Sequence, residues 1–202
     1  SASLSKTKRK VLLVDLDPQG NATRGCGVDP HNISLNMNDL LLGRCDIDST
    51  TLNIDNLGFS LMPTTPDLTE SEVVLINSEY KEYTLRKVLE PIKDRYDYII
   101  IDCPPSLNIL TVNALCAASG VLIPVQCEFF ALQGLSELIT TIDTIKSSSN
   151  KQLSIKGIIR TMFDPRNNLA VDVSMQLLKF FNDKVYRTII PRNITLAEAP
   201  SH

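Results

Sequence analysis

Six short apolar runs constrain the fold of this 202-residue chain more than any other feature. They are VLLVDL (11–16), FSLMP (59–63), YIIID (98–102), GVLIPV (120–125), IKGIIR (155–160) and VYRTII (185–190). Most are rich in Val and Ile, and few alternate apolar with polar residues. That is the pattern of strands covered on both faces of a parallel sheet. Helical periodicity fills the gaps. In ALQGLSELITTIDTIK, the residues Leu132, Leu135, Leu138, Ile139, Ile142 and Ile145 fall on one side. YTLRKVLEPI, ILTVNALCAA and LAVDVSMQLLKFF read similarly, while TLNIDNLG and SSSNKQLS read as loops. Strand and helix in alternation predict right-handed βαβ units. The expected architecture is an α/β three-layer αβα sandwich with a doubly wound, mostly parallel sheet, forming a single domain over residues 1–202.

An apolar content of 43% and a charged content of 21% suit an ordinary globular protein. No apolar run approaches the ~18 residues of a membrane span. The opening SASLSKTKRK lacks the apolar core of a signal peptide. Five cysteines (Cys26, Cys45, Cys103, Cys116 and Cys127) form an odd set without a CxxC pair, which predicts reduced thiols in a cytoplasmic protein. His31 and His202 are the only histidines, so catalysis by histidine has little to work with.

The net charge of −3 is unevenly spread. Residues 1–145 carry 11 Lys/Arg against 19 Asp/Glu, and residues 146–202 carry 9 against 4. A basic last quarter fits a face that binds a polyanion, and it equally fits solvated surface charge that happens to cluster.

The chemistry gathers where strands end. In an open parallel sheet, ligands bind beyond the carboxyl ends of the strands. VLLVDLDPQGNAT places Asp15 and Asp17 there, and DYIIIDCPPS places Asp102 there. Residues i and i+2 of a strand point the same way, so Asp15 and Asp17 are expected to face one site. Two or three carboxylates at one edge suit a hard cation with water ligands, most simply Mg²⁺ bridging to phosphates. Each acid alone also suits a helix or turn cap. Two such strand ends in one βα chain carry more weight than either alone.

At these residues a family resemblance becomes plain. VLLVDLDPQGNAT resembles the first switch segment of the ParA/Soj partition ATPases, deviant P-loop proteins. YDYIIIDCPPSLNILTVNAL is similar to their second switch. The resemblance continues in order through PVQCEFFALQGLSELI, IIRTMFDPRNNL and VYRTIIPRNITLAEAPSH. It implies that Asp17 orients the attacking water, and that Asp15 supports it and the Mg²⁺ shell. It implies that Asp102 holds Mg²⁺ through water. Met162, Pro191 and Asn193 would cradle the adenine of ATP or ADP, although core packing explains Met162 equally well. Family members bind DNA without sequence preference as ATP-bound homodimers, and they meet a ParB-like centromere-binding protein. Arg166 matches an arginine that relatives use on DNA. Relatives often carry a basic residue where this chain has Thr195, and Arg192, Lys179, Lys184 and Arg187 are the cations that would compensate. The implied location is cytoplasmic and nucleoid-associated, with no membrane expected.

The family's phosphate cradle, a KGGVGKTT-like loop, is not among these residues, which contain no GxxxxGK[ST]. SASLSK matches the later turns of the helix that follows such a loop. AEAPSH is usually followed by Gly and further helical sequence. The expectation is therefore an internal fragment, truncated at both ends and lacking the first strand and the P-loop. The full-length protein is expected to hydrolyse ATP. Residues 1–202 alone are not, because their acids would face acids without cationic partners.

Three alternatives come from other classes. A septum-site-determining ATPase would anchor to membrane by a C-terminal amphipathic helix, but PRNITLAEAPSH favours the partition branch. A non-catalytic scaffold fragment would keep only a dimer or partner surface. A nitrogenase iron-protein type needs two suitably placed cysteines per subunit, a pattern that Cys103 and Cys127 do not match well.

Overall fold

The computed structural model describes residues 1–195. The last seven residues, with the AEAPSH motif and His202, lie outside the described part. The chain divides into two compact units, Ser1–Ala117 and the part from Ala118 onward.

The first unit runs α1 (Ala2–Ser5), β1 (Val11–Asp15), α2 (Asn21–Gly25), α3 (Met37–Leu41), α4 (Ile47–Thr50), β2 (Leu52–Ile54), β3 (Phe59–Met62), α5 (Leu68–Ile76), α6 (Thr84–Leu89), β4 (Tyr98–Asp102) and α7 (Ile109–Ala117). Its sheet has the order β2-β3-β1-β4. β1 pairs parallel with β3 and β4, and β2 pairs antiparallel with β3. The central strand β1 shows why its sequence is apolar throughout. Leu12 and Val14 join one buried cluster with Met37, Leu40, Leu68, Leu85 and Leu110. Val11 joins another with Phe59 and Leu61, against which Ala2, Leu4 and Leu13 pack. Alternate residues thus serve opposite faces, and both faces are covered. Buried Asn113 ties this unit together, accepting from Leu85 N (3.1 Å) and donating to the Lys81 and Ile109 carbonyls (2.8 and 2.9 Å).

The second unit runs β5 (Gly120–Gln126), α8 (Ala131–Ser148), β6 (Ser154–Phe163), α9 (Asn168–Phe181) and β7 (Val185–Pro191). Its three strands lie in the order β5-β6-β7, all parallel. Leu135, Ile142 and Ile145 of α8 are buried, as are Ala170, Val173 and Leu177 of α9. On β6, Gly157 has no side chain because the Tyr186 ring of β7 lies over it. A Cβ there would sit 2.2 Å from that ring.

The α/β class and the mostly parallel pairing are as expected. Three details differ from the sequence reading. TLNIDNLG contains the short strand β2, closed onto β3 by a tight turn in which Leu57 N and Gly58 N donate to Ile54 O (3.0 and 2.8 Å). Three residues are too few to show a period, and only pairing with β3 makes them a strand. In β5 burial alternates, with Ile123 and Val125 buried and Leu122 exposed, so one face of this strand is covered and the other open. Finally, β1 ends at Asp15, so Asp17 lies in the following turn and not on the strand's pleat.

Candidate functional site

The turn after β1 is built around Asp15. This carboxylate has no exposed surface, and neither has Thr23 on α2. Asp15 Oδ2 accepts from Thr23 Oγ1 (2.6 Å) and Thr23 N (2.7 Å), and Oδ1 accepts from Asp17 N (3.3 Å). Thr23 Oγ1 in turn accepts from Thr64 N just beyond β3 (3.0 Å). Between these anchors the chain turns through Gly20 at φ 63°, a left-handed conformation that costs glycine little. Gly20 N donates to Asp17 O (2.8 Å), and Asp17 Oδ1 accepts from Gln19 N (3.0 Å). The half-buried Asp17 carboxylate is thus held by its own turn.

Asp102 is the residue directly opposite Asp15 in the parallel ladder, and Leu16 N donates to its carbonyl (2.8 Å). The structure therefore brings Asp15, Asp17 and Asp102 to one sheet edge. The Asp15 pKa is raised, first by burial and then against the lowering effect of its bonds to Thr23. Asp102, at the exposed strand end, is raised first by partial withdrawal from water, then by the charges of Asp15 and Asp17. The Cys103 thiol is pushed up to about 12 by burial, with Asp102 and Asp17 adding to it. Without a bound metal, Cys103 is therefore a neutral thiol and a poor nucleophile.

Among the described residues, no group of three or more His, Cys, Asp or Glu side chains is arranged to hold a metal. The donors at this edge are carboxylate oxygens, two of which already serve the turn from Asp15. That set fits a Mg²⁺ held by one or two carboxylates together with water and phosphate oxygens, and does not fit an all-protein cage.

A folded pKa above the ordinary carboxylate value means stability that is present at low pH and lost as pH rises through the raised value. Both Asp15 and Asp102 are of this kind, so burial sets a cost on ionising either one. Asp102→Asn is expected to raise the melting temperature at pH 7 by a few degrees at most. The gain should shrink as pH falls towards the usual Asp range. An unchanged or lowered melting temperature at pH 7 would show that these carboxylates do not strain the edge.

The remaining candidates lie in the second unit. Met162 sits near the end of β6 with φ 50°, rare for a residue with a side chain, where the pairing with β7 shifts register. Phe163 is paired with Pro191, and Arg192 N donates to Phe163 O (2.9 Å). Pro191 and Asn193 are exposed at this end of β7. Arg166 and Arg192 lie beyond the carboxyl ends of β6 and β7. Lys184 immediately precedes β7, at the opposite edge, about 20 Å of strand away. The three expected DNA cations thus do not share one edge. Sequence reading also missed two residues, Thr23 and Asp164. Asp164 holds Arg166 through paired bonds, Nε to Oδ1 (3.0 Å) and Nη2 to Oδ2 (2.9 Å). The signals were adjacent, Thr23 inside DPQGNAT and Asp164 two residues before Arg166.

Parallel strands with acids at their carboxyl ends define an α/β protein whose candidate ligand edge lies beyond those ends. A family profile described as "AAA domain" matches residues 1–155. The chain is 47% identical over 201 residues to the chromosome partitioning protein ParA of Myxococcus xanthus, covering 100% of this chain and 71% of that one. It is 46% identical over 205 residues to the sporulation initiation inhibitor protein Soj of Bacillus subtilis, covering 100% and 79%. A crystal structure described as cobyrinic acid a,c-diamide synthase from Mycobacterium smegmatis, with bound ATP analog and magnesium, matches with a TM-score of 0.89. That match has 35% identity and covers 95% of this chain and 78% of that one. The chain belongs to the ParA/Soj family of partitioning ATPases.

Proposed function

We propose that the full-length protein is an ATP-dependent switch that partitions a chromosome or plasmid. It binds ATP with Mg²⁺, dimerises, holds DNA without sequence preference, and hydrolyses ATP when a ParB-like centromere-binding partner engages it. It works in the cytoplasm on the nucleoid. The observation that carries this reading is the in-register pair Asp15–Asp102, with Asp17 in the adjoining turn.

In this reading Asp17 orients the attacking water, because its turn leaves the carboxylate partly open to solvent. Asp15 is a positioning residue, which acts by locking α2 and the Asp17 turn through Thr23. Asp102 would hold Mg²⁺ through water, with Asp15 contributing to the charge around it. The ion supplies neutralisation of phosphate charge, which is most of what phosphoryl transfer requires besides positioning. Met162, Pro191 and Asn193 would cradle adenine. Arg166 and Arg192 would meet DNA phosphates at one edge, with Lys184 reaching DNA only from the other.

Residues 1–202 contain none of the lysines of a GKT loop, and the described residues place no cation in an ion pair with Asp15, Asp17 or Asp102. Alone they are expected to bind ATP poorly and not to hydrolyse it. The full-length protein is expected to hydrolyse ATP and to retain random-sequence duplex only when ATP is bound. Full-length protein that retains DNA equally without nucleotide would overturn the switch. Micromolar ATP binding by residues 1–202, read by calorimetry, would overturn the expected deficiency.

A further inference from the structure

We propose that Asp164 masks Arg166, so that this chain meets DNA with one of its two edge arginines already neutralised by its own carboxylate. The inference rests on the reading of Arg166 as a phosphate contact. Two N–H groups along one edge of a guanidinium form the fork that grips a phosphate or a carboxylate. Here that fork is occupied by Asp164, at 3.0 and 2.9 Å.

The turn keeps it occupied. Asp164 Oδ1 also accepts from Arg166 N (3.0 Å), and Asn167 N donates to Asp164 O (3.1 Å). The carboxylate is therefore fixed by backbone bonds. The Arg166 side chain above it is 88% exposed, against 24% for Asp164. Arg166 first, and more weakly Arg192, hold the Asp164 carboxyl down at about 2, so the counter-charge is permanent at any physiological pH. The neighbouring cation is held less closely, since Arg192 Nη2 lies 3.9 Å from Glu128 Oε1, beyond hydrogen-bond reach. Glu128, Asp164 and Arg192 come from just beyond the ends of the three strands of this sheet, so the acids are built into the same edge as the cations.

An exposed ion pair of this kind is weak, so a DNA phosphate can displace Asp164. Displacement leaves the carboxylate beside the phosphate, and the two repel. The mask thus lowers DNA affinity and removes one cation from the salt dependence without abolishing binding. A partition protein that must let go of DNA repeatedly has a use for such a restraint.

Asp164→Asn tests this, because an amide oxygen still accepts from Arg166 N while the charge is gone. The measurement is the affinity of ATP-loaded full-length protein for a random-sequence duplex over a salt series. Asp164→Asn is expected to bind more tightly, with a slope of log affinity against log salt steeper by about 0.9, the value for one added phosphate contact. Its advantage over the parent should grow roughly threefold for each fourfold drop in salt. Arg166→Gln is measured in both backgrounds and should cancel that advantage. If Asp164→Asn leaves affinity and slope unchanged, or weakens binding, while Arg166→Gln weakens the parent, the mask is overturned and the phosphate contact stands. If Arg166→Gln has no effect in either background, the phosphate contact itself fails, and the mask with it.

Discussion

Thr23→Val is expected to destabilise the first unit by about 3 kcal/mol, although Val has nearly the shape of Thr. The hydroxyl has two buried partners. It donates to Asp15 Oδ2 at 2.6 Å and accepts from Thr64 N at 3.0 Å. Replacing it with a methyl group removes a charge-assisted bond from a fully buried carboxylate and leaves the Thr64 N–H without its acceptor. No cavity opens, so the loss is polar and not a packing defect. In thermal unfolding the drop should be on the order of 10 °C. Thr23→Ser, which keeps the hydroxyl, should recover most of it. Asp15, with one donor fewer, should titrate still higher, so the deficit of Thr23→Val should narrow as pH is lowered. A melting temperature within a degree or two of the parent would show that Thr23 does not hold this turn.

Asp17→Ala in the full-length protein is expected to behave in the opposite way. Among the described residues its side chain accepts from Gln19 N alone, and its charge raises the pKa of both Asp15 and Asp102. Removing it relieves like-charge repulsion, so the melting temperature should hold or rise slightly. ATP binding should persist, since no donor to phosphate is lost. The rate of hydrolysis should fall by roughly 10²–10⁴-fold, the range for losing a positioned acid–base group. A fall in kcat at unchanged ATP affinity marks an interaction made only in the transition state. Unchanged hydrolysis would remove Asp17 from the chemistry and leave it as a turn residue.

Comparing these two residues shows where sequence reading reached and where it stopped. Asp17 was legible because an acid two residues past an apolar run is a local pattern. Strand periodicity does not place Asp17 beside Asp15, since β1 stops at Asp15 and the turn after it positions Asp17. Thr23 lies inside the same motif but is not legible there, because a threonine eight residues from an aspartate carries no local signal. Its role depends on Thr64, which a separate strand brings into reach. Asp164 was missed for a different reason. It is close to Arg166 in sequence, but whether a neighbouring acid and base pair or point apart is decided by the turn between them.

By itself the sequence determined the α/β class, the positions of six of the seven strands among the described residues, the acids at the strand ends and the family. All of these follow from patterns within a few residues, or from the order of motifs along the chain. Only the tertiary structure decided the strand β2, the pairing of Asp15 with Asp102, the burial of Asp15 against Thr23 and the capture of Arg166 by Asp164. It also placed Lys184 at the opposite edge of its sheet from Arg166 and Arg192. The physical reason is the range of the interactions. Apolar periodicity reports the solvent along one segment, whereas strand register, the burial of a charge and the partner of a donor depend on groups that folding brings together.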